Sequence, residues 1–302
     1  MIRMSENNTA GDVQDNIPSE ERPSDKPKGK KKKHKLLKFI IILFVVWWFN
    51  NYTIKTPEFT VKSNKITAPI KIAVLSDLHA SAHGIKNERI INKIDKAEPD
   101  IIFLLGDMYS RSSEWDLIQI PIDLTKELSE KGYLVYFVPG EHDNSQKYLD
   151  AMSESGAHVM NYKGEIINVK GNSIQILGID NVFFSPTFDL NNAFTISQDC
   201  YSILMAHIPN YNSYAAFGAD LTICGDTHGG IIQLPFGRGP AYYSETGEWF
   251  PEIFGSRSDI YDKGMFDYDG GTMFITSGLG AYPLAARFNN RPEIAFIDIV
   301  PQ

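Results

Sequence analysis

The chain has 302 residues, of which 43% are hydrophobic, so it can bury a sizeable core in one large domain or two small ones. Its formal net charge of −8 is unevenly distributed, because residues 1–38 carry ten Lys and Arg against six Asp and Glu, which leaves −12 on the remainder. An acidic body excludes general nucleic-acid binding, which needs a basic face, and no nucleic-acid partner is expected.

The N-terminal region is polar and then strongly basic. Residues 1–28 are rich in Pro, Ser, Asn, Asp and Glu without apolar clustering, and residues 28–35 are mostly Lys. Such a composition buries too little apolar surface to fold. We therefore predict that residues 1–35 form a disordered, Lys-rich cytoplasmic tail. A direct contact of the Lys run with anionic lipid is a further interpretation.

An apolar segment follows the tail. As a helix at ~1.5 Å per residue, residues 36–54 would span about 28 Å, which matches a hydrocarbon layer of about 30 Å. Lys38 can extend to the near interface, and Trp47, Trp48 and Tyr52 suit the far one. We predict a single-pass anchor in the cell membrane, with the basic flank in the cytoplasm and the rest extracytoplasmic. A cleaved signal peptide is the alternative, but no small-residue cleavage site follows the apolar core.

The remaining sequence is predicted to be a linker over residues 55–69 and an α/β domain over residues 70–302. Apolar runs of strand length alternate with helical patterns, which is typical of layered α/β folds. The predicted strands are Lys71–Ser76, Ile101–Leu105, Tyr133–Val138, Glu165–Val169, Ser173–Ile179, Tyr201–Ala206, Leu221–Cys224, Thr272–Thr276 and Glu293–Val300. The predicted helices are Lys86–Ala97, Leu117–Lys131, Gln146–Ser155 and Asn210–Phe217.

Polar clusters follow five of these strands. They are Asp77-Leu78-His79, Gly106-Asp107, Gly140-Glu141-His142-Asp143, His207 and Asp226-Thr227-His228. Side chains just past the ends of parallel strands converge on one crevice, and carboxylates and imidazoles are ligands for divalent cations. The five clusters together predict a metal site, although each alone is also typical of a turn or a helix cap.

The third cluster also contains residues suited to proton transfer. His142 can donate a proton to a leaving alkoxide. Asp143 is expected to orient the His142 imidazole and to raise its pKa.

The order of the clusters resembles that of the calcineurin-like metallophosphoesterases, whose motifs run D-x-H, G-D, G-N-H-D, H and G-H-x-H. The similarity spans about residues 70–300, and Ser277-Gly278-Leu279-Gly280 resembles the membrane-associated YkuE/YaeI-type branch. The resemblance implies a four-layer α/β/β/α sandwich behind a single N-terminal transmembrane helix. It also implies two divalent metal ions (Mn, Fe or Zn), a bridging hydroxide that attacks phosphorus, and His142 as the proton donor.

The resemblance further implies how the ligands divide between the two metals. The first metal would be held by Asp77, His79, Asp107 and His228. The second would be held by Asp107, Glu141, His207 and Asp226, so that Asp107 bridges the pair.

Two of these positions depart from the family pattern. Glu141 replaces Asn and Asp226 replaces the first His of G-H-x-H, so both departures fall on the second metal. Acidic oxygen ligands either retain a second metal of harder character or weaken the site through added negative charge. Arg287 and Arg291 are candidates for contacts with substrate phosphate, or for salt bridges with the acidic body.

The sequence therefore predicts a membrane-anchored metallophosphoesterase that hydrolyses a phosphomonoester or phosphodiester, with a lipid-linked or cell-envelope-linked substrate. The alternative is a non-catalytic or weakly active protein that holds one metal and binds an anionic cell-envelope polymer.

Overall fold

The computed structural model describes residues 29–180, 189–280, 282 and 286–302, with side chains from residue 33 onward. Contacts within the chain divide it into two units, Met1–Leu43 and Phe44–Gln302. Helix α1 (Gly29–Tyr52) belongs to both units. Its residues 29–43 are the described part of the first unit, and its residues 44–52 belong to the second.

Helix α1 begins earlier than the sequence predicted. Residues 29–35 were assigned to a disordered tail, but they form the first turns of α1, because Lys is a good helix former. Residues 1–28 of that tail lie outside the described residues. In the described part of the chain, Lys33–Tyr52 is the one helical stretch long and apolar enough to cross a membrane, and such a stretch suits a membrane span or a signal sequence alike.

The second unit is an α/β structure with two large sheets. Its strands are β1 (Glu58–Ser63), β2 (Ile70–Leu75), β3 (Ile101–Leu104), β4 (Leu134–Phe137), β5 (His158–Val159), β6 (Lys163–Val169), β7 (Asn172–Gly178), β8 (Tyr201–Met205), β9 (Leu221–Cys224), β10 (Tyr242–Tyr243), β11 (Glu248–Trp249), β12 (Gly264–Tyr268), β13 (Gly271–Ile275) and β14 (Ala295–Pro301). Its further helices are α2 (Asn87–Ala97), α3 (Trp115–Glu130), α4 (Gln146–Glu154) and α5 (Tyr211–Phe217). Every strand and helix predicted for residues 70–302 is present, with boundaries shifted by a few residues.

Parallel pairing dominates the centre of both sheets. The first sheet has the order β1-β14-β2-β3-β4-β5, and β2 to β5 are parallel. The second has the order β12-β13-β9-β8-β7-β6, and β7, β8, β9 and β13 are parallel. The carboxyl ends of these parallel strands are where the polar clusters begin.

Three buried apolar clusters define the layers. One lies between the sheets and joins residues such as Phe103 and Val74 to Ile203. A second packs α2, α3 and α4 on the outer face of the first sheet, and a third packs α5 on the outer face of the second. The predicted four-layer α/β/β/α sandwich is therefore confirmed.

The predicted linker over residues 55–69 is wrong in its middle, which forms strand β1. This edge strand pairs in parallel with β14, from Glu58 opposite Phe296 to Ser63 opposite Pro301. Only alternate side chains of β1 are partly buried, so its apolar signal is weak. The edge strand β12 and the short β10–β11 hairpin were not predicted either, since they are short or only partly buried.

The buried side chain of Asn172 at the start of β7 ties the two sheets together. Its oxygen accepts hydrogen bonds from Thr67 N (2.7 Å) and Ala68 N (3.3 Å), just before β2. Its nitrogen donates to the carbonyls of Ala68 and Val169, each at 3.0 Å. A single side chain therefore satisfies backbone groups of both sheets.

We predict that Asn172→Ala lowers the free energy of unfolding by about 2–3 kcal/mol, because it removes four hydrogen bonds to partly buried backbone groups. Thermal unfolding of the full chain, followed by circular dichroism, measures the change. The matched control is Asn168→Ala, at an exposed side chain that accepts one hydrogen bond, from Gly171 N at 3.1 Å. The control should stay within about 0.5 kcal/mol of the native protein, and equal effects of both substitutions would contradict the prediction.

Candidate metal centre

Backbone hydrogen bonds join neighbouring loops that follow the parallel strands within each sheet. Asp77 N donates to the carbonyl of Gly106 (3.0 Å) and His79 N to the carbonyl of Asp107 (3.1 Å), so the loops after β2 and β3 run side by side. In the second sheet, Gly225 N donates to the carbonyl of His207 at 2.9 Å. These bonds carry the pairing of the strands into the loops and bring the predicted ligands together.

Five of the seven predicted ligands have a left-handed backbone. Their φ angles are 52° at Asp77, 41° at His79, 50° at Asp107, 68° at Asp226 and 51° at His228. Residues other than Gly seldom adopt positive φ, and such conformations concentrate at functional sites. These turns bring the side chains of Asp77 and His79 into one cluster.

Gly140 allows the loops after β3 and β4 to touch. A Cβ atom at Gly140 would overlap the carboxylate of Asp107, and one at Gly106 would overlap the backbone of Gly140. The Asp107 side chain therefore occupies space that only glycine leaves free.

The first group of candidate ligands consists of Asp77, His79 and His228. One ligand atom from each lies within 4.8 Å of the others. His228 Nε2 is 3.8 Å from Asp77 Oδ1, and the His79 and His228 rings stack with centroids 5.1 Å apart. This is the ligand set predicted for the first metal, apart from the bridging Asp107.

Asp107 connects the first group to a second. Its Oδ2 lies 3.8 Å from His79 Nε2 and 3.4 Å from His207 Nε2. His207 Nε2 is also 3.7 Å from Asp226 Oδ1. Glu141, whose side chain is 50% exposed, forms a group of possible ligands with Asp107 and His142. Asp107 therefore lies between the two groups of candidate ligands.

The histidine nitrogens in this cluster fit a divalent cation. His207 Nδ1 donates a hydrogen bond to the carbonyl of Leu105 at 2.6 Å, which leaves Nε2 as the ring nitrogen that would bind a cation in place of a proton. Nε2 of His79 and of His207 are buried and make no hydrogen bond within the described structure. Buried imidazole nitrogens beside carboxylates are the donors that metal sites use.

Burial and mutual charge shift the pKa values in this cluster in opposite directions. Burial raises the pKa of Asp77 to about 7 and lowers that of His79 to about 4. Burial would also raise the pKa of Asp107, but the neighbouring His207 outweighs it and brings the value to about 2. Burial opposes protonation of His207, yet the facing carboxylates raise its pKa well above the usual value. Opposed shifts in one cluster are typical of functional sites.

His142 lies at the rim of this cluster with a defined tautomer. Its Nδ1 accepts a hydrogen bond from Arg111 N at 2.9 Å, which places the ring proton on Nε2. That nitrogen faces the centre, 3.8 Å from Asp107 Oδ2 and 3.4 Å from Glu141 Oε1. The proton that His142 can donate therefore points into the site.

Asp143 does not orient His142, and this expectation is corrected. Its carboxylate is fully buried and accepts hydrogen bonds from Gly140 N (2.6 Å) and Met108 N (2.7 Å). Both oxygens are thus used on backbone groups of the loops after β3 and β4, while His142 Nδ1 is held by Arg111. Asp143 fixes the two loops relative to each other.

Several contacts around the site differ from the sequence predictions or add to them. Ser110 hydrogen-bonds His79 Nδ1 at 3.1 Å, and the ring of Tyr282 stacks on that of His79 with centroids 4.8 Å apart. Arg287 is buried and donates to the carbonyls of Ser277 (2.7 Å) and Gly280 (2.8 Å), so it is not placed to meet substrate phosphate. No spacing in the sequence indicated these contacts, because each joins distant segments.

A cleft of about 430 Å³ opens onto the cluster. Its lining combines the polar residues described above with a mainly apolar set, which we call the apolar wall. The apolar wall is formed by Ile231, Ile232, Ala241, Tyr242, Trp249 and Tyr282. The site can therefore accommodate a charged group beside an apolar one.

Carboxylates and imidazoles at the ends of parallel strands, inside an α/β/β/α sandwich, define a metal-dependent enzyme site. The calcineurin-like phosphoesterase family matches residues 70–230, more than half of the chain, and the chain belongs to this family. The resemblance drawn from the motifs is confirmed, and the protein is a metallophosphoesterase.

Individual relatives agree with this assignment. The chain is 27% identical over 256 residues to the uncharacterized metallophosphoesterase YkuE of Bacillus subtilis (strain 168), with 80% of this chain and 84% of YkuE covered. It is 23% identical over 278 residues to the uncharacterized metallophosphoesterase YkoQ of the same strain, with 87% and 98% covered. It is 23% identical over 250 residues to the phosphodiesterase YaeI of Escherichia coli (strain K12), with 77% and 83% covered.

We predict that Asp107→Asn removes most bound metal and lowers phosphoester hydrolysis by at least about 100-fold, because an amide cannot supply two anionic oxygens. Elemental analysis of the full chain purified in detergent, together with hydrolysis of bis-p-nitrophenyl phosphate, measures both effects. The control is Asp123→Asn on α3, where an exposed carboxylate hydrogen-bonds only Gln119. Native metal content in Asp107→Asn would contradict the central position of Asp107.

Proposed function

We propose that the protein is a membrane-anchored phosphoesterase that uses two divalent cations to hydrolyse a phosphomonoester or phosphodiester. The observation that carries this proposal is the position of Asp107, whose Oδ2 faces His79 on one side and His207 on the other. A carboxylate shared by two ligand groups is what a pair of cations requires. When bound, such cations lower the pKa of water and neutralise charge that develops on the phosphoryl oxygens.

The ligands divide into a well-formed set and a more acidic set. Asp77, His79 and His228 would hold the first cation together with Asp107. His207, Asp226 and Glu141 would hold the second, also with Asp107. Two anionic oxygen ligands at the second position favour Mn²⁺ or Fe over Zn²⁺, because carboxylates are harder ligands than imidazole.

His142 would act as the proton donor to the leaving oxygen. Its Nε2 proton faces the cluster, and the Arg111 backbone N–H holds the opposite side of the ring. Donation from a fixed imidazole matters most when the leaving alkoxide is strongly basic. Asp143 supports this function indirectly, since it holds the loop that carries His142.

The anchor and the cleft together favour a substrate near the membrane. Lys33–Tyr52 suits a single span, and the Lys-rich flank favours a cytoplasmic N-terminus with the enzyme domain outside. The apolar wall of the cleft would accommodate the lipid part of a lipid-linked or cell-envelope-linked phosphoester. The relative YaeI is named a phosphodiesterase, which favours a diester substrate.

We predict that the full chain binds two equivalents of Mn²⁺ and that hydrolysis of bis-p-nitrophenyl phosphate depends on the second equivalent. Restoring the family residues with Glu141→Asn and Asp226→His should shift the metal preference toward Zn²⁺ without raising turnover. The substitutions replace two anionic carboxylates by a neutral amide and a softer imidazole, and imidazole suits Zn²⁺. Calorimetric titration and activity assays measure both. One equivalent of metal, no turnover, and activity gained on reversion would instead support a single-metal protein that binds an anionic polymer.

We predict that His142→Ala slows hydrolysis of alkyl phosphate esters by about 10²–10³-fold, whereas p-nitrophenyl esters, whose leaving group needs no proton, lose far less. The comparison uses matched alkyl and aryl esters at saturating metal. Metal content should be unchanged. An equal loss for both esters accompanied by lost metal would show that His142 is a ligand and not the acid.

A further inference from the structure

The segment between the His228 loop and β12 exposes an unusual number of large apolar side chains. We call residues 231–254 the aromatic lobe. Phe236 and Phe254 are each 98% exposed and Trp249 is 69% exposed, and the partly exposed residues Ile232, Tyr242, Phe250 and Ile253 lie in the same segment. The rings of Tyr242 and Phe250 both lie against that of Trp249, and clustered exposed apolar side chains of this kind mark interaction sites.

The lobe is an ordered element. Ala241 N donates to the carbonyl of Ile232 (2.8 Å), and Phe250 N donates to the carbonyl of Ala241 (3.0 Å). The side chain of Arg238 hydrogen-bonds the carbonyl of Ile253, which joins the turn that carries Phe236 to the turn that carries Phe254. Phe236 has a φ of 66°, a strained conformation that residues other than glycine seldom adopt.

The lobe lies beside the last turn of α1. Asn289 N donates to Asn50 Oδ1 (2.8 Å), and Asn289 Nδ2 donates to the carbonyl of Leu234 (3.3 Å). A cavity of about 340 Å³ separates Phe49 and Asn50 from Pro235, the residue that precedes Phe236. The turn that carries Phe236 is thus connected through one residue to the end of the apolar helix.

Composition distinguishes between possible partners. Trp, Tyr and Phe are the residues enriched where proteins meet the interfacial region of a bilayer, and Trp47 and Trp48 occupy the neighbouring end of α1. Charge does not favour an anionic surface. Residues 231–259 contain Arg238 and Arg257 against four acidic residues, and Arg257 is paired with Glu248 at 2.8 Å and with Asp259 at 2.5 Å.

We infer that the aromatic lobe is a second membrane contact, which inserts Phe236 and Phe254 into the interfacial region of a zwitterionic bilayer beside α1. The inference rests on the membrane anchoring proposed above. Tyr242 and Trp249 belong both to the lobe and to the apolar wall of the metal cleft. A lobe seated in the bilayer surface would therefore open that cleft at the level of lipid headgroups, where an amphiphilic phosphoester can enter without leaving the membrane.

The test places one environment-sensitive nitrobenzoxadiazole label at a time on the full chain in phosphatidylcholine nanodiscs. The labelled variants are Phe236→Cys and Phe254→Cys, and the native Cys200 and Cys224 are buried. Because interfacial segments sit about 5–10 Å into the bilayer, we expect each label to lose at least about half its fluorescence to lipids bearing a nitroxide high on the acyl chain. The control is Ile166→Cys, an exposed apolar position on edge strand β6, which should show no such loss.

A fourth label, at Val45→Cys in the middle of the predicted span, is read with lipids that carry the nitroxide deep in the acyl chain, and it separates this inference from the proposed anchor. Quenching at position 45 without quenching at positions 236 and 254 overturns the second contact and leaves the anchor in place. Absence of quenching at all three positions overturns both. Shielding from water at position 254 without lipid quenching would also overturn the inference, because it indicates association with a second copy of the chain.

Discussion

The buried carboxylates of Asp77 and Asp107, at the ends of adjacent parallel strands, are the constraint on which the rest of the site depends. A buried carboxylate is costly unless it is hydrogen-bonded and balanced by positive charge. The protein supplies part of that balance from its own backbone, since His142 N donates to Asp107 Oδ1 at 2.9 Å. The other oxygen, Oδ2, remains directed at the histidines. Asp226 N lies 3.2 Å from both oxygens of Asp77, and Gly140 leaves the space that the Asp107 carboxylate occupies.

The site belongs to the interface between the two sheets and to neither sheet alone. Asp77, His79 and Asp107 follow strands of the first sheet, whereas His207 and His228 follow strands of the second. The hydrogen bond from His207 Nδ1 to the carbonyl of Leu105 crosses between the sheets inside the buried core. Separation of the ligands is therefore set by the packing between the sheets, which varies little because protein interiors are close-packed.

The sequence predicted most of the strands, the layers and the convergence of the ligands, because these follow from apolar periodicity and from the geometry of parallel strands. It failed where the outcome depends on partners distant in the chain. Strand β1 has few buried side chains of its own and forms because β14 offers a free edge. Asp143 sits next to a catalytic candidate, yet its oxygens are used by Met108 and Gly140 backbone groups that only the folded loops bring within reach.

The end of α1 is fixed to the same residues that support the metal ligands. Asn51 Oδ1 accepts from Arg287 N at 2.9 Å, and the Arg287 guanidinium donates to the carbonyl of Gly280. Gly280 N in turn donates to the carbonyl of Asp77 at 2.6 Å. Burial lowers the pKa of Arg287 to about 10, so the guanidinium is still positively charged at neutral pH. Its hydrogen bonds to the neighbouring carbonyls therefore persist there. A short path of hydrogen bonds therefore couples the attachment of the last turn of α1 to the position of Asp77, so a displacement at one end of this path would be felt at the other.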